Sequence, residues 1–159
     1  MRTIRRLLVT LALVTAGCGA DAGEPVLHTA ASLTDVAPEL VAAQRSDGGA
    51  DFRVNIGGSS TLAFQIQDGA PSGVFLSADE ETMDLVVASG DAEAPVVFAR
   101  NRLVLVRRAG ADVRGLDALS DPDLLIGLCA ASVPCGRLAG GELAARGIEP
   151  ALDTEEPDV

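Results

Sequence analysis

Three short stretches of the chain have the residue types to hold an anion without a positively charged side chain. They are Ser32, the Gly57-Gly58-Ser59-Ser60 run, and Pro134-Cys135-Gly136. Serine hydroxyls are directional donors, and paired glycines let backbone amides come close to a ligand. If each stretch sits where a strand gives way to a helix, the helix adds unpaired amides and about half a positive charge. Taken singly, each has a plainer reading: a serine at a helix start caps it, and a Gly-Gly-Ser-Ser run is a loop. A serine nucleophile is the rival chemistry. Gly57-Gly58-Ser59 does not continue as Gly-x-Ser-x-Gly, because position 61 is Thr, and the one histidine, His28, lies well upstream. Without a base beside it a serine stays inactive, so no enzyme is expected.

The elements around these stretches follow from apolar spacing. Pro25 to Ala30 reads as a strand, running into a helix that starts at Ser32 with Leu33, Val36, Ala37, Leu40 and Val41 on one face. Phe52, Val54 and Ile56 alternate as a second strand ending at Gly57, and Thr61 to Gln67 is a helix. Gly73 to Ser77 is a third strand, and Asp79 to Ala88 a third helix closed by Gly90; the Asp79-Glu80-Glu81 run reads as a solvated first turn. This βαβαβα order implies a parallel sheet covered by helices, an α/β fold. Val96 to Val106, rich in β-branched residues, predicts two strands or one bent strand. Gly115 to Leu119 is a short helix stopped by Asp121-Pro122, and Leu124 to Leu128 is a strand. Cys129 to Cys135 is a loop, Gly136 to Arg146 a helix ended by Gly147, and the acidic tail from Glu149 finishes no element. In open α/β sheets ligands sit beyond the carboxyl ends of the strands, where all three candidate stretches fall.

Composition narrows the ligand. The net charge is −11, from 12 Arg and 23 acidic residues, which would repel nucleic acid. With no Trp, no Tyr and four Phe, an aromatic platform for bases or sugars is not expected. His28 reads as structural or partly exposed.

Residues 1–18 read as a leader. Arg2, Arg5 and Arg6 precede a short apolar run, Leu7 to Val14, far below the length of a membrane-spanning helix. Thr15-Ala16-Gly17-Cys18 is similar to the lipobox of bacterial lipoproteins, which implies a lipid on Cys18; plain secretion with a free Cys18 is the alternative. Removing residues 1–17 leaves nine Arg against 23 acids, a net charge of −14. Residues 19–24 suit a tether. With Cys18 lipidated, Cys129 and Cys135 remain as an even pair in an oxidising compartment, so a disulfide is expected. A soft-metal site would need further Cys or His that are absent nearby.

The wording of the motifs carries a resemblance. Ala30-Ala31-Ser32-Leu33-Thr34, Ser59-Ser60-Thr61-Leu62-Ala63-Phe64-Gln65-Ile66 and Gly69 through Asp79 resemble the periplasmic molybdate-binding proteins of ABC transporters, as do Asn101 to Val106 and Val133-Pro134-Cys135-Gly136. The resemblance implies a class II periplasmic-binding-protein fold, two α/β lobes around a cleft. Residues 25–99 would form lobe one and residues 100–159 a partial lobe two, with a hinge near Arg100-Asn101-Arg102. It implies an oxyanion held by Ser32 and Ser59 through hydroxyl and amide, by the Cys135 backbone N–H, and by the Val159 backbone N–H. Molybdate or tungstate would be the ligand, with sulfate or another tetrahedral oxyanion as alternative, and no directly ligated metal cation or cofactor. The implied partners are a permease and its ATPase, and the implied state is an extracytoplasmic, lipid-anchored monomer. The family continues further and supplies a Tyr ligand; this chain has none and stops at Val159, so a truncated or partial member, weak in binding or prone to aggregate at open sheet edges, is the expectation.

Overall fold

A computed structural model describes residues 23–157, so Cys18, the leader and Val159 lie outside the described residues. Val26–Ala30 forms β1, and all five of its residues are buried. A run buried on both faces belongs in the middle of a parallel sheet. β1 is indeed flanked by β2 (Arg53–Gly57) and β3 (Val74–Leu76) in the order β2-β1-β3, both parallel to it. Three helices connect or follow these strands: α1 (Ala37–Ser46), α2 (Ser59–Gln67) and α3 (Glu80–Ala88). Ala63 and Ile66 of α2 pack with Val86 of α3, joined by Phe75 of β3 and Ala92.

The first helix begins later than its apolar spacing predicts. Ala31–Leu33 is a 3-10 turn, and α1 opens at Ala37 with Val36 as its cap and no capping side chain. Pro38 fixes that start, because a proline fits only the first turn of a helix, where its missing N–H costs nothing. Ser32 is therefore not the N-cap of α1; it lies exposed in the turn before it. Of the expected stripe only Ala37 and Val41 are buried, while Val36 and Leu40 stay 43% and 41% exposed.

Val96 to Val106 forms no strand. Val96, Val104 and Val106 are 80%, 78% and 82% exposed, and this backbone pairs with no described residue. β-branched composition suits a pleated surface, but a strand exists only where another strand accepts its hydrogen bonds.

A second sheet pairs β4 (Gly127–Cys129) in parallel with β5 (Thr154–Glu156). β4 lies later than the Leu124–Leu128 strand read from sequence, and β5 corrects the reading of a structureless tail. Ala130 N–H donates to Glu156 O at 2.7 Å and Ala151 N–H to Leu119 O at 2.8 Å, while Asp153 Oδ2 accepts from Ile126 N–H at 2.7 Å. α4 spans Pro134–Ala145, two residues earlier than expected, again because a proline opens its first turn. Leu143 of α4 packs with Leu119 and Ile126, and Leu116, Leu124, Leu128 and Ile148 surround them. Among the described residues no helix is long and apolar enough to cross a membrane.

Candidate oxyanion site

Ser32 and Ser59 each follow the end of one of two neighbouring parallel strands. Ala30 of β1 is paired with Gly57 of β2, and each serine follows its strand's last paired residue by two positions. Ser59 is the first residue of α2, after Gly58, and is 2% exposed. Its Oγ accepts the Ala78 N–H at 2.9 Å, which orients the hydroxyl and leaves its proton to donate elsewhere. The amides of Ser59, Ser60 and Thr61 precede the first hydrogen bond of the helix, Leu62 N–H to Gly58 O at 3.0 Å.

Cys135 is the second residue of α4, one residue after Pro134. The first backbone bond of that helix is Arg137 N–H to Val133 O at 3.0 Å, so the amides of Cys135 and Gly136 have no backbone acceptor among the described residues. Cys129 and Cys135 are joined by a disulfide with Cα atoms 5.8 Å apart, which staples the end of β4 to the first turn of α4. Gly136 is required by this closeness. A Cβ there would overlap the Ala130 carbonyl oxygen and lie 2.5 Å from its carbon.

The two helix starts meet. Ser60 Oγ donates to Ser132 O at 2.9 Å, linking the first turn of α2 to the loop before α4. Arg137 ties α4 to the start of α3. Its Nη2 donates to Asp79 Oδ2 at 2.5 Å and to Thr82 Oγ1 at 3.0 Å, and its Nη1 to Ser132 O at 3.1 Å. Its Nε lies 3.2 Å from Glu81 Oε2 without hydrogen-bond alignment. Asp79 is thus more than part of a solvated first turn: it is the N-cap of α3, accepting Thr82 N–H at 3.0 Å. Burial pushes the Asp79 carboxyl up, but its bonds from Thr82 and the Arg137 guanidinium outweigh that and hold it below the usual carboxylate range.

Sequence reasoning missed both Asp79 and Arg137. Asp79 carried a signal, an N-cap acid three residues before Thr82, whereas nothing local marks Arg137 as the partner of a residue 58 positions away. His28 sits apart from these contacts. It is 2% exposed; Nε2 donates to Pro71 O at 3.0 Å and Nδ1 accepts from Asn55 Nδ2 at 3.0 Å. A carbonyl can only accept and an amide nitrogen only donate, so both ring nitrogens are occupied by a structural tie. A groove of about 480 Å3 against α4 is lined by Leu128, Leu143, Ile148 and Leu152 among others, and takes in neither Ser32 nor Ser59.

Parallel α/β units with helix starts beyond the strand ends are the setting in which α/β proteins bind small ligands. The profile of the bacterial extracellular solute-binding protein family matches residues 26–155. The chain belongs to that family. It is similar to the molybdate-binding protein ModA of Mycobacterium tuberculosis H37Rv, 35% identical over 144 residues, covering 81% of this chain and 55% of that protein. ModA of Haemophilus influenzae is 32% identical over 151 residues, covering 82% and 57%. The solved substrate-binding domain assigned to a molybdenum ABC transporter of Clostridium difficile superposes with a TM-score of 0.55 at 27% identity, covering 84% of this chain and 62% of that one. The chain spans about half the length of these curated relatives.

Proposed function

We propose that the chain binds molybdate, and tungstate comparably, as the solute-binding component of an ABC transporter. The oxyanion is held by the Ser32 and Ser59 hydroxyls and amides and by the Cys135 N–H, with the Val159 amide as a fourth donor. One observation carries this reading: the first turn of α2 is tied by Ser60 to Ser132 in the loop before α4, while the amides of Ser59, Ser60, Thr61 and Cys135 have no backbone acceptor among the described residues. A tetrahedral dianion only accepts hydrogen bonds, so neutral donors at helix starts suit it and a net-negative protein can still hold it. The names of the relatives, molybdate-binding proteins, support the choice of anion.

Residues 25–99 belong to lobe one and residues 100–159 form part of lobe two, hinged near Arg100-Asn101-Arg102, after a leader (1–18) and a tether (19–24). The protein works outside the cytoplasm, anchored by a lipid on Cys18, as a monomer that hands its ligand to a permease driven by an ATPase. It turns nothing over. Both nitrogens of His28 are engaged by Pro71 and Asn55, which supports the absence of a base for Ser59.

The test is a thermal melt with and without millimolar molybdate, tungstate, sulfate or phosphate. A ligand at 100 times its Kd adds about 2.7 kcal/mol, a shift of several degrees. A rise with molybdate and tungstate alone is expected. A rise with sulfate alone moves the assignment to that anion, and no rise with any of them contradicts the reading.

A further inference from the structure

A continuous path of short links runs from one candidate ligand residue to another. Ser59 Oγ holds the Ala78 N–H at 2.9 Å, and Asp79 is the next residue along the chain. Asp79 Oδ2 accepts from Arg137 at 2.5 Å, and Arg137 follows Cys135 by two residues on the first turn of α4. The guanidinium also reaches Thr82 Oγ1 and Ser132 O, so it touches the start of α3 and the loop before α4 together. The side chains of Arg137 and Asp79 are 28% and 17% exposed, against 41–87% for the other ion-paired side chains among the described residues. A forked, partly buried cation held by oxygens from both sides fixes orientation as well as distance. Its charge is also balanced by Asp79 and Glu81, which leaves the candidate ligand site to neutral donors.

We infer that Arg137 is a positioning residue of the oxyanion site. It locks the first turn of α4, with the Cys135 amide, against the α3 N-cap, whose preceding residue Ala78 is held by Ser59, so that the donors of α2 and α4 address one ligand. The inference rests on the proposed molybdate reading for its binding consequence, but the mechanical link stands without it. Arg137 does not touch the anion; it acts through Asp79.

The test uses the full chain as wild type, Arg137→Gln, Asp79→Asn, the double variant, and Arg137→Lys. Asn still caps a helix, so Asp79→Asn removes the charge while keeping the α3 cap. Amide spectra without ligand come first. Arg137→Gln shifts the amides of Ser59, Ser60 and Ala78, and Asp79→Asn shifts those of Cys135 and Gly136. Arg137→Lys, which keeps the charge but loses the fork, returns part of the way. Unmoved α2 amides in Arg137→Gln overturn the inference. Calorimetric titration with molybdate follows. Arg137→Gln weakens binding about tenfold, the double variant is no weaker than the worse single one, and Arg137→Lys recovers part of the loss. Losses that simply add in the double variant overturn the coupling. A wild type that takes up no molybdate defeats the proposed ligand, while the amide shifts still decide the role of Arg137. Should Arg137→Gln fail to fold, Arg137→Lys and Asp79→Asn carry the same comparison.

Discussion

The same substitution at two glycines of α4 should have opposite signs. At Gly136 a new Cβ would overlap Ala130 O, and would lie 2.5 Å from Ala130 C and 2.6 Å from Cys129 O, against the 3.0 Å that Cβ atoms keep. All three obstacles are backbone atoms, so no flexible side chain can yield. The disulfide holds the same loop from its other side, between Cys129 and Cys135. Overpacking against a fixed backbone falls at the upper end of its usual range, so Gly136→Ala costs about 3 kcal/mol. For a chain of this length that is a fall in Tm of about 6–12 °C. Gly140, one turn further on, has nothing within 4 Å of an added Cβ. There Ala restores helix propensity and stabilises by about 0.5–1 kcal/mol. Urea denaturation of both variants beside the wild type reads the difference directly. A Gly136→Ala protein as stable as wild type, or a destabilised Gly140→Ala protein, would refute the account of how the start of α4 is fixed.

Three further outcomes follow from the site's surroundings. Asp79 has a lowered carboxyl pKa in the folded chain, so its stabilising contribution is full above the usual carboxylate range and is lost as pH falls through the folded value. Asp79→Asn should therefore flatten the acid limb of a urea-midpoint against pH curve, and an unchanged limb would contradict the ion pair. His28→Ala removes a buried side chain with two partners, Pro71 O and Asn55, and should cost about 2–3 kcal/mol in chemical denaturation; a neutral effect would contradict the tie. Opening the Cys129–Cys135 bond with a double Ser variant frees a loop of sequence separation 6, worth about 2 kcal/mol by loop entropy, and denaturation midpoints unchanged by the substitution would contradict that.

The first half of the fold was legible because its signals are local and mutually consistent. β1 opens on apolar Val26-Leu27, β2 ends at a glycine, and α3 starts at an acid and stops at Gly90, whose φ is +85°. Ser59 and Cys135, singled out by the family resemblance, both fall in the first turn of a helix, though α2 and α4 start two residues earlier than read from Thr61 and Gly136. What was missed depends on partners distant in sequence. β5, Thr154–Glu156, has three exposed residues and no apolar alternation, so only its pairing with β4 makes it a strand. Val96 to Val106 is the converse: its residues suit a strand, but pairing decides, and no described strand accepts it. The late start of α1 was readable from Pro38, a stronger boundary signal than the serine at position 32. Arg137 was not readable at all, since its role exists only once α3 and α4 are side by side.

The central claim is that an oxyanion sits on the first turns of α2 and α4. Titrating isotope-labelled protein with molybdate while following its backbone amides tests this most directly. The account predicts saturable shifts concentrated at Ser32, Ser59, Ser60, Thr61 and Cys135, with Ser59→Ala weakening the titration at least tenfold. Saturable shifts that leave Ser59 and Cys135 untouched, or no shifts at millimolar molybdate, would contradict it.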